Sequence, residues 1–469
     1  MKTNKIKNNN KLNLLLSKIP SVEIILQNKN LQPLIGKSSR KIITEIIRKV
    51  VSSEKNNVRK NGHLYSSKER INKIIEFTKK EDLTFLTQVI NGSGVILHTN
   101  LGRAPLGKEI VAVIRESLQG YTNLEYNLVE GNRGKRGESV EKILCNLSHA
   151  EKSLIVNNNA GAIFLILNSL AKNKEVIVSR GELVQIGGGF RIPEILKQSG
   201  AHLREVGTTN QTFISDYEKA INDNTALILK VHQSNFKMNG FTHQVEVKEL
   251  KLLGKKYNLP IIVDLGSGTF LNTENYGLKH EPTVQENIKV GADVVCFSTD
   301  KLLGGPQGGA ICGKEIYLKR ISLHPLFRTL RVDKITLTIL QEILLSYLKD
   351  EAAAKIPVWK MISCPLKEIS IRSQNIYQKL KQENIPVFLN EGNTAIGGGS
   401  LPGQTLPTQL IYIKPPCSVE FFSKELRLFS PPLLGRKEKN YFVLDPRCID
   451  PSDDNLIIKI ITSVYFKIK

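Results

Sequence analysis

The sequence of 469 residues has no long hydrophobic run. Near the N-terminus the longest apolar stretch is Leu14-Leu-Leu16, which is far too short for the core of a signal peptide. No run approaches the about 20 apolar residues that a membrane-spanning helix needs. The composition, with 41% hydrophobic and 23% charged residues, is typical of soluble globular proteins of two or three domains. We therefore expect a cytoplasmic protein that does not contact a membrane.

Cysteine is scarce, and its spacing excludes the common cysteine-based sites. No two cysteines form a CxxC pair, and no Cys/His group has the spacing of zinc ligands. The sequence thus predicts no metal site, and reduced, mostly buried thiols rather than disulfides. The six cysteines are Cys145, Cys296, Cys312, Cys364, Cys417 and Cys448.

Acidic residues are nearly absent from the first 80 residues, which hold 5 Glu and no Asp against 19 Lys and Arg. This segment has a net charge of +14, out of +22 for the whole chain. A basic excess at one end is typical of proteins that bind a polyanion, and nucleic acid is the first candidate. A general lysine bias of the proteome is the alternative, but such a bias would raise the lysine content of the whole chain.

Residues 1–80 are predicted to form a small basic helical domain. After a polar stretch over residues 1–12, an amphipathic helix is predicted over residues 38–51, with Ser38 or Ser39 as its N-cap. The stretch from Lys55 to Ser67 is predicted to be a loop. The apolar face of the helix comprises Ile42, Ile43, Ile46, Ile47, Val50 and Val51.

Over residues 82–350, short apolar runs alternate with helical patterns such as residues 160–170 and 247–257. Unbroken apolar strands that alternate with helices predict an α/β catalytic domain, with a mainly parallel sheet covered on both faces. A helix over residues 334–350 leads into a smaller α+β domain over residues 351–469. The strand candidates are Ser153–Val156, Glu175–Val178, Ala226–Leu229, Pro260–Val263 and Asp293–Phe297.

Lys301 is the first candidate for a catalytic residue. It follows the predicted strand Asp293–Phe297 and precedes the glycine-rich run Gly304–Gly309. A lysine amine beside tight backbone is poorly hydrated, which lowers its pKa and makes it nucleophilic. Such a lysine can form a Schiff base with pyridoxal phosphate (PLP), and Asp264, at the end of another strand, can pair with the protonated ring nitrogen of that cofactor. An exposed lysine beside a glycine turn is the alternative.

Further candidate ligands lie at the carboxyl ends of predicted strands, where α/β sheets bind ligands. The segment Asn157–Ala162 follows a strand and opens a helix, so its backbone N–H groups suit an anion such as the PLP phosphate. A structural turn is the alternative. His232 is a candidate to stack on the cofactor or to bond it. The remaining predicted cofactor-binding residues are Asn158, Asn159, Ala160, Gly161 and Ser298.

Three arginines are candidates for a second oxyanion site: Arg103, Arg328 and Arg331. The planar guanidinium group donates two parallel hydrogen bonds to an oxyanion. Arg328 and Arg331 share a face if their segment is helical. Solvation at the surface explains these arginines equally well from spacing alone.

Several strings of this sequence together resemble the bacterial selenocysteine synthases, the L-seryl-tRNA(Sec) selenium transferase family. The resemblance extends from about residue 18 to the C-terminus. Thr299 differs from the usual Gly of the family, Gly308 from Ala, and Gly92-Ser93 from Ala-Thr. The strings are Leu97–Arg103, Asn123–Tyr126 with Glu130–Gly134, Val156–Ala160, Ser179–Leu183, Lys230–His232, Val263–Gly268 and Asp300–Gln307.

The resemblance implies a fold-type I PLP-dependent transferase, assembled as a homo-oligomeric ring of dimers, a decamer, with an N-terminal domain that binds tRNA(Sec). It implies that Lys301 forms the Schiff base and that Arg103, Arg328 and Arg331 bind selenophosphate. The implied reaction converts L-seryl-tRNA(Sec) to L-selenocysteinyl-tRNA(Sec), by β-elimination of the serine hydroxyl and addition of selenium to a dehydroalanyl-tRNA. A PLP lyase or ammonia-lyase relative that acts on a small free amino acid is one alternative, and an RNA-binding protein without catalysis is another.

Overall fold

The computed structural model describes residues 12–37, 39–82, 85–186 and 189–469. The chain divides into two compact units. The first comprises the described residues up to Ile90, together with Pro416–Leu434 and Ser463–Lys469, and the second comprises Asn91–Pro415 and Gly435–Thr462. Ser38 and residues 1–11, about which the sequence also made predictions, lie outside the described residues.

Helices form the N-terminal part of the first unit. Ser39 is the N-cap of the predicted amphipathic helix, since its hydroxyl accepts a hydrogen bond from the Ile42 N–H at 3.4 Å. Gly62, with a φ of 67°, ends this helix. The helices are residues 12–17, Val22–Leu26, Lys29–Leu31 (3-10), Gln32–Lys37, Arg40–Asn61 and Ser67–Asp82, followed later in the chain by Val419–Arg427.

The prediction of a loop from Lys55 to Ser67 is wrong for Lys55–Asn61, which is helical. The helix continues because its buried face continues: Val51, Glu54 and Val58 follow one another at helical spacing, and all three are buried. Glu54 is the exception on this face, because it places a carboxylate at a buried position where the helical pattern predicts an apolar side chain.

The buried carboxylate of Glu54 is fully paired. It accepts hydrogen bonds from Arg70 Nε at 2.8 Å, from Arg70 Nη2 at 2.7 Å and from the Tyr65 N–H at 3.0 Å. Arg70 belongs to the next helix, Ser67–Asp82, and is itself buried. The ion pair therefore connects the two long helices and fixes the short turn between them.

A seven-stranded sheet forms the centre of the second unit. Its strands, in spatial order, are Lys152–Val156, Gly309–Gly313, Val294–Ser298, Ile261–Gly266, Thr225–Val231, Glu175–Ser179 and His202–Val206. Neighbouring strands are parallel except Gly309–Gly313, which is antiparallel to both of its neighbours. The five predicted strands are confirmed, and Gly309–Gly313 and His202–Val206 were missed.

Both faces of this sheet are buried, as the unbroken apolar strands predicted. Ile177 and Val295 belong to one hydrophobic cluster, whereas Val176 and Val294, which point to the opposite face, belong to the other. The helices of this unit are Lys108–Leu118, Glu138–Ser148, Asn159–Leu170, Ile192–Gln198, Ile214–Ala220, Val247–Tyr257, Val284–Lys289, Glu315–Leu323, Pro325–Thr329, Lys334–Leu348, Ala352–Lys355, Pro357–Ser363 and Leu366–Gln382, and Asp454–Ile468 crosses into the first unit.

A second sheet contains the strands of the C-terminal part of the chain. Its strands, in spatial order, are Ile90–Gly92, Leu433–Glu438, Tyr441–Leu444, Thr405–Ile413, Val387–Gly397 and Val95–Leu97. Val387–Gly397 thus pairs with Val95–Leu97, a strand that precedes all strands of the central sheet in the sequence. Two short ribbons, Tyr126–Asn127 with Asn132–Arg133 and Gln185–Ile186 with Phe190–Arg191, complete the β structure of the described residues. In the part of the chain that the structure describes, we find no helix with the length and apolar character of a membrane span.

Candidate active site

Lys301 lies in the loop of a hairpin formed by two interior strands of the main sheet. The strands Val294–Ser298 and Gly309–Gly313 are paired up to the register Ser298↔Gly309. The loop between them is closed by a hydrogen bond from the Thr299 N–H to the Gly308 carbonyl at 3.0 Å. The Lys301 side chain is directed inward, and the residue is only 4% exposed. This excludes the alternative of an exposed lysine beside a turn.

Thr299 and Gly308 lie against each other in this loop. The Thr299 hydroxyl donates to the Pro306 carbonyl at 2.5 Å. A Cβ atom on Gly308 would lie 2.7 Å from this hydroxyl. A side chain at position 308 would therefore require Thr299 to move.

Burial lowers the pKa of the Lys301 amine. The charge of Arg103 lowers it further, whereas Asp264, Asp300 and Glu281 act in the opposite direction. The loss of hydration prevails because the side chain is almost fully enclosed. An amine in this position is uncharged at a lower pH than an exposed lysine, as a nucleophilic lysine must be.

Asp264 lies next to Lys301, on the strand Ile261–Gly266. Its Oδ1 accepts a hydrogen bond from Asn159 Nδ2 at 2.9 Å. Burial raises the pKa of Asp264, although the Asn159 amide and the charge of Lys301 oppose this effect. Among the described residues, no cationic side chain forms an ion pair with this carboxylate at close range, and the effect of burial prevails.

His232 is held by one backbone and one side-chain contact. Its backbone N–H donates to the Asp264 backbone carbonyl at 2.9 Å, and its ring Nε2 lies 3.2 Å from Glu281 Oε1. Glu281 is 3% exposed and was not predicted from the sequence. A buried carboxylate in this position fixes the orientation of the imidazole.

The predicted phosphate loop begins the helix Asn159–Leu170. Asn158 is its N-cap, and its Oδ1 accepts a hydrogen bond from the Gly161 N–H at 2.7 Å. Ala160 and Gly161 lie in the first turn, and Ser298 is the last residue of its strand. The structure thus brings the helix N-terminus, Asp264 and Lys301 to the same edge of the sheet, because Asn159 bonds Asp264 directly.

The three predicted arginines do not share a partner. Arg103, with a φ of 61°, pairs with Asp300, the neighbour of Lys301, at 2.6 Å. Arg331 pairs with Glu125 at 3.3 Å, and Arg328 has no hydrogen-bond or ion-pair partner among the described residues. The expectation that Arg328 and Arg331 share a helical face is wrong, since the helix Pro325–Thr329 ends two residues before Arg331.

The segment that carries these two arginines nevertheless borders the predicted phosphate loop. The Asn157 N–H donates to the Leu330 carbonyl at 2.9 Å. A Cβ atom on Gly161 would lie 3.1 Å from Leu330 Cδ2. Arg331 therefore follows directly a residue that packs on the loop.

Gly399 covers Lys301 from the side of the second sheet. A Cβ atom on Gly399 would lie 2.8 Å from both Cε and Nζ of Lys301. The sequence gives no sign that the glycine-rich loop Gly397–Gly399 lies close to the lysine. This proximity joins segments about a hundred residues apart, and no local pattern reports it.

Several buried polar atoms around Lys301 have no partner within the described chain. They include Asn159 Oδ1, Ser267 Oγ, Asp300 Oδ1 and His98 Nδ1. Buried polar groups are usually hydrogen-bonded, so a cluster of unsatisfied ones next to a lysine of lowered pKa is what a site for a small polar ligand requires. No group of three or more metal-binding side chains occurs within the described ranges, and the six cysteines form no disulfide.

Comparisons with known proteins agree with this geometry. A model of the SelA family, described as L-seryl-tRNA selenium transferase, matches residues 89–450. The L-seryl-tRNA(Sec) selenium transferase of Carboxydothermus hydrogenoformans is 46% identical over 445 residues, which are 93% of this chain and 95% of that protein. Its counterpart in Alkaliphilus oremlandii is 40% identical over 460 residues, which are 96% and 98% of the two chains.

One solved structure supports the fold. D-Glucosaminate-6-phosphate ammonia-lyase matches with a TM-score of 0.55 at 18% identity, and the match covers 82% of this chain and 98% of that one. The predicted fold class, an α/β fold-type I PLP-dependent transferase with a mostly parallel central sheet and a helical N-terminal region, is confirmed.

Proposed function

This chain belongs to the L-seryl-tRNA selenium transferase family, and we propose that it converts L-seryl-tRNA(Sec) to L-selenocysteinyl-tRNA(Sec) with selenophosphate as the selenium donor. The observation that carries the proposal is the buried Lys301, whose pKa is lowered by burial, next to Asp264 and a helix N-terminus. These three elements are what PLP chemistry requires.

The residues present fit PLP. Lys301 would form the Schiff base with its carbonyl carbon, and Asp264 would pair with the ring nitrogen. Asn158, Asn159, Ala160, Gly161 and Ser298 would surround the phosphate, and His232, oriented by Glu281, would contact the ring. A protonated ring nitrogen would also supply the cationic partner that Asp264 lacks at close range. When bound, the cofactor stabilises negative charge at the substrate Cα, which makes loss of the β-hydroxyl possible.

The chain's own residues would then move protons and hold the donor. The Lys301 amine, once displaced by the substrate amine, can take the proton from Cα, and its burial favours the uncharged form that this role needs. The serine hydroxyl leaves with a proton as water. The selenium of selenophosphate then adds to Cβ of the dehydroalanyl group while Cα takes up a proton, and water cleaves the Se–P bond so that phosphate leaves. The phosphate part of selenophosphate would be bound by Arg103, Arg328 and Arg331. Arg103 is paired at 2.6 Å with Asp300, which precedes Lys301 in the chain.

The basic segment over residues 1–80 would bind the body of tRNA(Sec), since only the acylated end of a tRNA can enter a buried site. Its +14 charge suits contacts with phosphate groups. The catalytic domain over residues 82–350 and the smaller domain over residues 351–469 would hold the site. We further propose a cytoplasmic homo-oligomer, a ring of dimers.

The test is turnover of seryl-tRNA(Sec) with selenophosphate, and free serine serves as the competing substrate. The proposal expects selenocysteinyl-tRNA from the first and no product from the second, with Lys301→Ala inactive and without the visible absorbance of the Schiff base. Turnover of free serine without tRNA would instead support the lyase alternative, which the family match does not favour. A wild-type protein that stays colourless after addition of PLP would refute the cofactor assignment.

A further inference from the structure

Glu125 is surrounded by three arginines. Arg136 Nε donates to its Oε1 at 2.7 Å, Arg133 Nη2 donates to Oε2 at 3.2 Å, and Arg331 Nη1 lies 3.3 Å from Oε1. The hydrogen bond from Arg136 is the main cause that lowers the pKa of Glu125, and the charge of Arg331 adds to it. One carboxylate thus faces three guanidinium groups, which leaves the cluster with a net charge of +2.

Arg136 and Glu125 fix the backbone and the side chain of the same short segment. Arg136 Nη1 donates to the Val332 carbonyl at 2.9 Å, and Glu125 pairs with the side chain of Arg331. The preceding residue, Leu330, accepts the Asn157 N–H of the predicted phosphate loop. The cluster is therefore continuous with the candidate active site, although Glu125 is remote from Lys301 in sequence.

We propose that Glu125 is a positioning residue of the donor site, which holds Arg331 and Arg136 so that their remaining N–H groups meet the phosphate of selenophosphate in a fixed arrangement. This inference rests on the proposed function, because it assumes that Arg331 binds the donor. Three guanidinium groups repel one another, and a long arginine side chain has many rotamers. The shared carboxylate counteracts both effects before the donor arrives.

Two physical roles of Glu125 predict opposite results. If the carboxylate only competes with the donor for Arg331, its removal raises the net charge of the cluster to +3 and strengthens oxyanion binding. If it positions the arginines, its removal weakens oxyanion binding despite the extra positive charge. We commit to the second role, because Arg136 is anchored at both ends, to Glu125 and to the Val332 carbonyl.

The experiment compares Glu125→Gln with Glu130→Gln in the PLP-loaded, full-length protein. Glu130 is an exposed acidic residue in the turn of the same ribbon, and within the described residues only its backbone N–H makes a hydrogen bond. The control therefore makes the same change of charge without touching the arginines. For Glu125→Gln, we expect the KM for selenophosphate and the inhibition constant of inorganic phosphate to rise about tenfold or more, as misplaced binding groups typically cause. The KM for seryl-tRNA(Sec) and the Schiff-base absorbance should stay as in the wild type, and Glu125→Asp should recover part of the loss.

An unchanged or lower KM for selenophosphate in Glu125→Gln would overturn the inference. If that variant fails to fold, Arg136→Lys provides a second test. This change keeps the positive charge but loses the guanidinium group that contacts both Glu125 and Val332. The same rise in the KM for selenophosphate is then expected, and a wild-type KM would contradict the inference. A wild-type enzyme that does not use selenophosphate would refute the proposed function itself. Normal wild-type turnover with an unaltered Glu125→Gln variant would refute only the role of Glu125.

Discussion

A single methyl group on Gly399 should displace the candidate catalytic lysine. In Gly399→Ala, the new Cβ would lie 2.8 Å from both Cε and Nζ of Lys301. Non-bonded carbon atoms normally approach to about 3.5–4.0 Å, so the methyl group overlaps the lysine by roughly 1 Å. Lys301 is 4% exposed and cannot move out into solvent. It must move within the site, away from its present position beside Asp264.

Two costs follow, and they can be separated. Gly399 has a φ of +83°, where a non-glycine residue costs about 1–2 kcal/mol. Overpacking of a closed site costs about 1–3 kcal/mol more. The second cost acts on the position of Lys301, and since about 1.4 kcal/mol is a tenfold change in an equilibrium constant, it predicts a loss of PLP affinity of roughly 5- to 150-fold.

Gly403→Ala is the matched control. Gly403 also has a left-handed backbone, with a φ of +72°, but a Cβ atom added to it would have no other atom within 4 Å. In urea unfolding, Gly403→Ala should show only the backbone cost, whereas Gly399→Ala should lose about 1–3 kcal/mol more. Only Gly399→Ala should need more PLP to develop the Schiff-base absorbance. Equal PLP affinities of the two variants would show that the contact between Gly399 and Lys301 does not matter for the cofactor.

Three further predictions test other parts of the molecule. Arg70→Met leaves the buried Glu54 carboxylate without its cationic partner and should destabilise the helix Arg40–Asn61 by about 3–5 kcal/mol, measured by hydrogen exchange. The control Arg40→Met breaks an exposed ion pair and should cost less than about 1 kcal/mol. Similar losses in the two variants would contradict the structural role of the Glu54–Arg70 pair. Because burial lowers the pKa of Lys301, the unfolded chain binds more protons than the folded one between that lowered pKa and 10.5. The free energy of unfolding of the wild type should therefore rise relative to that of Lys301→Met as the pH rises through this window. Urea midpoints of the two proteins that change in parallel with pH would argue against this prediction. Deletion of residues 1–80 should weaken tRNA binding and flatten its salt dependence while PLP stays bound, and unchanged affinity at a fixed salt concentration would refute the tRNA-binding assignment.

The sequence predicted those elements whose local pattern agrees with their environment. Five strands of the central sheet contain an unbroken run of apolar residues and were identified from that property. The strand His202–Val206 lies at the edge of the sheet and carries charged residues, and Gly309–Gly313 contains glycines typical of a loop. Both form strands because neighbouring strands supply hydrogen bonds, which is a tertiary effect.

Residues that act through long-range contacts were beyond local patterns. Lys301 and Asp264 lie at the ends of recognisable strands, so their position alone brings them together. Glu125, Glu281 and Gly399 reach the site from separate segments, and their neighbours in sequence give no sign of it. Glu54 was missed for a related reason, since a buried acid is interpretable only once its arginine partner is known.

The hairpin around Lys301 has a consequence for how this site can open. Its loop leaves the sheet at Ser298 and returns at Gly309, and these two residues pair with each other between further strands. Local unfolding of this hairpin must therefore separate interior strands of the sheet, which costs far more free energy than the movement of an exposed loop. The backbone around Lys301 is therefore held in place by the paired strands. Whatever motion admits the acylated end of a tRNA must belong to the surrounding segments, such as the glycine-rich loop Gly397–Gly399.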